Sequence, residues 1–144
     1  MKYFTKLSLF LLVLTLTACG PKSAPATLQF DNPYAPQAGD GDLMASDITV
    51  DSNAVFLLPE TPAQLEVDIN YFPATPCNDL RIEVSGPDAQ NHIDLKAYGV
   101  AEKDKPCALM PIATPQQVKL NLGTLPKGHY VISLNGNQIG EVDV

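Results

Sequence analysis

Tryptophan is absent from this sequence of 144 residues, and basic side chains are scarce. Nine lysines and arginines stand against 16 aspartates and glutamates, so the formal net charge is −7 at pH 7. Proteins that bind nucleic acid or dock electrostatically on anionic lipid need a basic surface. The composition therefore argues against a nucleic-acid partner and against attachment to a membrane through charge.

Motifs of common enzyme classes are missing as well. The chain contains no Gly-x-Ser-x-Gly, no glycine-rich phosphate loop and no Ser-x-x-Lys. Carboxylate pairs such as Glu66 and Asp68 fall on the exposed parity of a predicted strand, where solvation explains them. We therefore predict a protein that is not an enzyme, with no catalytic residue, no cofactor and no small-molecule substrate.

Metal-binding patterns are weak. His92 and His129 are the only histidines, and a zinc site would need both of them beside an acid at a separation that the sequence does not define. Four aspartates between positions 40 and 51 are compatible with calcium, but their spacing is not that of an EF-hand loop. The prediction is no metal site.

A hydrophobic run long enough to span a bilayer is also absent near the amino terminus. The apolar stretch from Leu7 to Leu16 is shorter than the roughly 20 residues that a transmembrane helix needs. Lys2 and Lys6 precede it, which is the arrangement of a secretory signal peptide. The chain is therefore predicted to be exported.

Leu16-Thr17-Ala18-Cys19 follows this run directly and resembles the cleavage box of bacterial lipoproteins. The resemblance implies that residues 1–18 are removed and that the sulfur of Cys19 carries a lipid. Stable anchoring takes more than one acyl chain, so the membrane partner is reached through the acyl chains on Cys19. Gly20 stands where such proteins commonly carry an inner-membrane retention aspartate, which implies the outer membrane, facing the periplasm, in a host with two membranes. The alternative is an ordinary secretory signal with an incidental cysteine.

Two further cysteines, Cys77 and Cys107, are left in the exported part of the chain. A compartment outside the cytoplasm permits disulfides, so we predict that these two residues pair. Closing a loop of about 30 residues would stabilise the fold by roughly 3–4 kcal/mol. A redox-active or metal-binding thiol pair is the alternative, but Cys-x-x-Cys is absent.

Residues 19–46 are predicted to be a lipidated cysteine followed by a flexible tether. Four prolines interrupt this segment, and Gly39-Asp40-Gly41-Asp42 follows them. A chain of this composition shows no sustained apolar periodicity and would hold a folded domain clear of the lipid surface.

From residue 47 to residue 144, apolar and polar side chains alternate with a period of two, as in strands with one buried face. Turn residues separate the alternating runs, and 13 prolines work against long helices. The predicted fold is an all-β, immunoglobulin-like antiparallel β-sandwich of about seven strands. The strands are predicted at 48–58, 65–71, 80–84, 93–97, 118–122, 130–134 and 139–144.

The carboxy-terminal part has the pattern of a tyrosine corner followed by a hairpin. Gly128 permits a tight corner, Tyr130 is placed to return its hydroxyl to the backbone, and Asn135-Gly136 is a strong hairpin signal. From Gln64 to Val144 the cysteine spacing and this ending resemble an uncharacterised group of secreted bacterial domains with a Gly-x-Tyr-x-Val-x-x-Asn-Gly ending. Here Ile132-Ser133-Leu134 departs mildly from that ending, and the resemblance implies no activity.

Strand directions place three loops at one end of the predicted sandwich, which suggests a binding surface. The first hypothesis is a non-catalytic binding or adaptor module that holds an envelope protein. An inhibitor of envelope proteases, inserting 73–76 and 108–115 into a cleft, is a second hypothesis, and a purely structural envelope lipoprotein is a third. The predicted binding-loop residues are Pro76, Ala108, Leu109, Asn135, Gly136 and Asn137.

Overall fold

The computed structural model describes residues 28, 30–108 and 114–144. The predicted signal peptide, Cys19 and Leu109 lie outside these described residues. A short 3₁₀ turn at Asp40–Asp42 precedes eight strands. The strands are Leu43–Asp47 (β1), Thr49–Leu58 (β2), Gln64–Phe72 (β3), Asp79–Ser85 (β4), His92–Glu102 (β5), Gln116–Thr124 (β6), His129–Leu134 (β7) and Asn137–Asp143 (β8).

The strands form two packed sheets. One sheet has three strands in the order β2-β3-β6, and the other has five, built around β5. Strand β4 pairs with one edge of β5, whereas β7 and β1 share the other edge. The predicted all-β sandwich is confirmed, with one strand more than the pattern suggested.

Apolar side chains at alternate positions fill the space between the sheets, as the period of a strand requires. Leu65, Val67 and Ile69 of β3 are fully buried, and so are Ile82 of β4 and Ile132 of β7. Both sheets therefore contribute one complete face to a single core.

One strand pair departs from the antiparallel arrangement. Strands β5 and β7 are parallel, with His92 opposite Val131 and Leu95 opposite Leu134. The intervening strand β6 belongs to the other sheet and runs antiparallel to β3, so the chain returns in the same direction in β7 as in β5. Parallel pairing needs such a crossover connection and cannot be made by a hairpin.

Strand β1 and the residues before it belong to the domain, although the sequence predicted a flexible tether up to residue 46. Leu43 lies opposite Glu102 and Asp47 lies opposite Tyr98, so β1 adds a strand to β5. With five residues, β1 shows no regular alternation of buried and exposed side chains. Period-two analysis could not detect it, and the domain begins before Asp47.

The carboxy-terminal prediction is confirmed in detail. The Tyr130 hydroxyl donates a hydrogen bond of 3.0 Å to the carbonyl oxygen of Pro126, which is the tyrosine-corner contact. Asn135 and Gly136 have φ angles of 50° and 80° and join β7 to β8 in a hairpin. Positive φ at both positions is the reason that Asn-Gly suits this turn.

Candidate binding surface at the disulfide end

The N-terminal arm, residues 30–42, lies against the five-stranded sheet. Asn32 Nδ2 donates to the carbonyl oxygen of Ile82 at 2.8 Å, and the Ile82 N–H donates to the carbonyl oxygen of Tyr34 at 2.7 Å. Both backbone groups of Ile82 on the outer edge of β4 are thereby satisfied. The arm covers an edge that would otherwise be open to pairing with another chain.

A bidentate ion pair fastens the arm to the outer face of this sheet. Arg81 Nε lies 2.8 Å from Asp40 Oδ2, and Arg81 Nη2 lies 3.0 Å from Asp40 Oδ1. Both side chains are almost fully buried, with 9% and 13% exposure. Leu80 and Ile82 point into the core, so the intervening Arg81 points to the opposite face. Such fork-to-fork geometry is the strongest form of the Arg–carboxylate interaction.

The same contacts shift the protonation equilibria of the pair. The hydrogen bond from Arg81 lowers the pKa of Asp40, and the backbone N–H of Gln37 lowers it further. The hydrogen bond to Asp40 correspondingly raises the pKa of Arg81. Asp40 was one of the aspartates compatible with calcium, and the guanidinium occupies its carboxylate instead.

The predicted disulfide is confirmed. Cys77 in the β3–β4 loop bonds to Cys107 in the β5–β6 connection, with 6.0 Å between their Cα atoms. These two connections define the disulfide end of the domain. A disulfide indicates a compartment outside the cytoplasm.

The β3–β4 loop is held in place by side-chain hydrogen bonds. Asn78 Oδ1 accepts bonds of 2.7 Å from both the N–H and the hydroxyl of Thr75. Asn78 Nδ2 donates to Ser46 Oγ of β1 at 3.0 Å. The loop is therefore fixed to β1 through Ser46 and to the β5–β6 connection through Cys107.

A concave surface lies at this end, and we name it the disulfide-end groove. Its volume is about 780 Å³. Met44 of β1, 57% exposed, lies on its wall, and Val100 of β5, 2% exposed, forms part of its floor. Further lining comes from Thr75, Cys77 and Cys107. An exposed methionine beside a buried apolar floor is typical of an adaptable contact surface.

Only some of the predicted binding-loop residues lie at this end. Pro76 and Ala108 are exposed and adjoin the two cysteines, and Leu109 is outside the described residues. The Asn135–Asn137 turn lies elsewhere, which corrects the expectation of three clustered loops. Strand β7 is short and ends at Leu134 opposite Leu95, roughly a third of the way along β5.

Strand β1 occupies the rest of that edge of β5, and Asn135 fills the position between β7 and β1. Its backbone N–H donates to the carbonyl oxygen of Leu95 at 2.8 Å. Its side chain accepts from the N–H of Ala97 at 2.8 Å and donates to the carbonyl oxygen of Ala97 at 3.0 Å. Asn135 therefore completes the sheet and is not a free loop residue.

A second concave surface, the side groove, has a volume of about 1180 Å³. Asn135 and Gly136 lie on its wall, together with Phe30 and Pro36 of the arm. Lys96 and Tyr98 of β5 add a cation–π contact of 5.4 Å. Sequence reasoning missed this groove because four of its lining residues, Phe30, Asn32, Ala35 and Pro36, lie in the segment that was predicted to be a tether.

The two histidines lie at the end opposite the disulfide. His129 Nδ1 is 2.8 Å from Asp143 Oδ1, and His92 Nδ1 is 3.8 Å from Asp88 Oδ2. All four side chains are about half exposed or more. Across residues 30–108 and 114–144, no group of three or more His, Cys, Asp or Glu side chains is arranged to hold a metal ion.

Comparison with known proteins finds no matching family model, no matching curated protein and no matching solved structure. The structure thus supports a two-sheet β domain with a disulfide, and the resemblances to lipoproteins and to secreted bacterial domains stay predictions. Within the described part of the chain, there is no helix whose length and apolar character would let it cross a bilayer.

Proposed function

We propose that this protein is a lipid-anchored component of the cell envelope that binds a partner protein without catalysing a reaction. The disulfide-end groove is the observation that carries the proposal. Its wall includes the exposed Met44, its floor includes the buried Val100, and Cys77–Cys107 fixes the loops around it. A rigid scaffold that presents loops at one end is a common basis for protein recognition.

The envelope location is supported by two independent features. The segment from Lys2 to Cys19 has the order of a lipoprotein signal, and the Cys77–Cys107 disulfide fits an oxidising compartment. The acyl chains on Cys19 would then supply the attachment, because the acidic chain offers no electrostatic one.

The loop positions favour an adaptor over a protease inhibitor. An inhibitor of the kind considered inserts the hairpin turn after β7 as a third loop beside 73–76 and 108–115, whereas the Asn135–Asn137 turn is level with Ala97 and away from the cysteines. Two loops and strand β1 meet at the disulfide end, without the third loop that such an inhibitor uses.

Photocrosslinking in living cells tests the proposal. A photoreactive amino acid is placed at Pro76 or Ala108 at the disulfide end, and at Lys127 at the opposite end as the matched control. All three positions are exposed. Gly136 is a poor probe position, because its φ of 80° would strain any larger residue.

We expect one discrete adduct from Pro76 or Ala108, and none from Lys127. Adducts from Lys127 alone, or from no position, would overturn binding at the disulfide end. Mass spectrometry of the adduct separates a protease from another envelope protein. Replacement Cys19→Ser should abolish membrane association, and its survival unchanged would refute the lipid anchor.

A further inference from the structure

We infer that docking of the N-terminal arm turns the disulfide end of the domain away from the lipid surface. The inference rests on the proposed attachment at Cys19 and adds to it which end of the domain faces the membrane. The reason is that the connecting chain enters the sandwich at a different height when the arm is docked than it would without the arm.

Without the arm, the sandwich would be attached at its disulfide end. Thr49, the first residue of β2, pairs with Phe72, the last residue of β3. Leu43, the first residue of β1, pairs with Glu102, the last residue of β5. Both Phe72 and Glu102 lead into the connections that carry the cysteines. An anchor upstream of either strand would therefore hold the disulfide end nearest to the membrane.

The arm reverses this arrangement. Followed backwards from β1, the chain crosses the outer face of the sheet at Asp40, which binds Arg81 of β4. It then runs along the edge of β4, where Tyr34 and Asn32 bond to Ile82.

The described arm begins lower still on the sheet. Phe30 lines the side groove together with Val84, Ser85 and Asp94. Ser85 pairs with Asp94 at the far end of the β4–β5 ladder, whereas Asp79 pairs with Val100 at the disulfide end. Over residues 30–42 the point of attachment thus moves from the disulfide end toward the opposite end.

The length of the chain between Cys19 and Phe30 limits which parts of the domain can reach the lipid. Phe30 is eleven residues from Cys19, and a chain of that length spans at most about 36–40 Å. Asp94, the β5 residue of this lining that is farthest from Glu102, is eight residues from it, which corresponds to about 26 Å along the strand. A flexible chain of eleven residues spans about 17–20 Å on average, so contact of the disulfide end with the lipid would require a connection more extended than average, which conformational entropy opposes.

The lipid anchor and the disulfide-end groove thus lie toward opposite ends of the domain. The end that carries the disulfide-end groove points into the surrounding compartment, where a protein partner can reach it. The loops at 86–91 and 125–128 lie on the membrane side.

Energy transfer to a bilayer tests the orientation. The lipidated protein, which begins at Cys19, is placed on vesicles of phosphatidylcholine, which carry no net charge, with an acceptor dye in the headgroups. A donor is introduced at Lys103, in the turn after β5, or at Lys127, before β7, through a non-natural amino acid. Both lysines are exposed and lie in turns at opposite ends, so they form a matched pair. Avoiding an added thiol leaves Cys77–Cys107 undisturbed.

We expect stronger transfer from Lys127 than from Lys103. In a folded variant that combines Asp40→Asn with Arg81→Met, the difference should shrink or reverse as attachment shifts to Leu43. Equal transfer at both positions in vesicle-bound wild type, or stronger transfer from Lys103, would overturn the orientation. An unchanged difference in the variant would overturn the role of the ion pair. Failure of the protein to bind vesicles would instead refute the lipid attachment in the proposed function.

Discussion

The outer faces of the two sheets differ in a way that their sequences do not show. On the three-stranded sheet, Lys119 of β6 lies 3.0 Å from Asp68 and 3.4 Å from Glu66 and is 59% exposed. On the five-stranded sheet, Arg81 and Val100 occupy the same outward parity but are only 8% and 2% exposed. On the first face Lys119 covers Glu66 and Asp68, which are 20% and 14% exposed, whereas the second face is covered by the arm, the β3–β4 loop and the disulfide.

The alternation of apolar and polar residues therefore predicts only part of this difference. A period of two shows which side chains share a face, because successive residues of a strand point to opposite sides. It does not show what lies on each face. An antiparallel sheet often has one solvated face, and on the three-stranded sheet Lys119 is exposed in that way, but the neighbouring Asp68 has one carboxylate oxygen buried without a hydrogen-bond partner among the described residues. In the five-stranded sheet, the covered outer face buries Arg81 and Val100, although the alternation predicts exposed side chains at both positions.

The largest loss of stability is expected from removing the disulfide, which acts on the five-stranded sheet. Strands β4 and β5 lie inside the loop that Cys77 and Cys107 close, whereas β3 and β6 flank it. Replacing both cysteines by alanine should lower the free energy of unfolding by about 3–4 kcal/mol, because the unfolded chain gains entropy. Urea denaturation measures the change. Amide exchange should accelerate more in β4 and β5 than in β3, and an unchanged unfolding free energy would contradict the prediction.

A smaller effect should come from Asn135→Ala, which acts on the five-stranded sheet alone. The change leaves the N–H and carbonyl of Ala97 without their side-chain partner at a residue that is 3% exposed. Unsatisfied backbone groups of this kind cost about 1–3 kcal/mol, and alanine at a φ of 50° adds backbone strain to that loss. Thermal unfolding and exchange of the Ala97 amide report the loss.

Asn137→Ala is the matched control, because the side chain of Asn137 makes only a 3.5 Å contact with the carbonyl of Asn135. Equal destabilisation by the two substitutions would show that Asn135 does not complete the sheet. Amides of β3 should exchange at the wild-type rate in both variants.

The smallest effect is expected from Asp40→Asn, which uncovers the outer face of the five-stranded sheet. The pKa of Asp40 is lowered from 3.8 in the folded state, mainly by Arg81. A depressed pKa means that the ionised carboxylate stabilises the fold above its unfolded pKa and that this contribution is lost as pH falls through the folded pKa. Wild type should therefore exceed the variant in stability near neutral pH, and the two should converge in acid.

Asp42→Asn provides the control, because Asp42 is exposed in the same 3₁₀ turn. The pKa of Asp88 is also lowered, by the backbone N–H groups of His92 and Gln90. That contribution is common to all variants and cancels in the comparison. Exchange of the Ile82 amide, which donates to Tyr34, reports directly whether the arm has loosened. A constant difference between wild type and Asp40→Asn across the acid range would contradict the assignment.

Most of the sandwich could be predicted from the sequence because its strands carry a strong local signal. The runs around Leu65–Tyr71 and Val118–Leu122 alternate cleanly, and the structure places strands β3 and β6 there. The strand predicted at 48–58 is present as β2, with a register shift between Val50 and Ser52. The tyrosine corner was predictable because one tyrosine and one nearby carbonyl suffice to make it.

The candidate surface was less predictable, since it depends on residues distant in the chain. Strand β1 has no alternation of its own and forms because β5 offers a free edge beyond Ala97. The position of the Asn135 turn depends on how far β7 extends along β5, which no local pattern encodes.

By itself the sequence determined the strand runs, the turn chemistry at Asn135-Gly136 and the pair of cysteines available for a disulfide. These depend on backbone preferences and side-chain periodicity, which act over a few residues. Only the tertiary structure decided that Asp40 meets Arg81, 41 positions away, and that the arm covers one sheet face. Such contacts form because a buried charge and a free strand edge both need partners, and packing alone determines which segment supplies them.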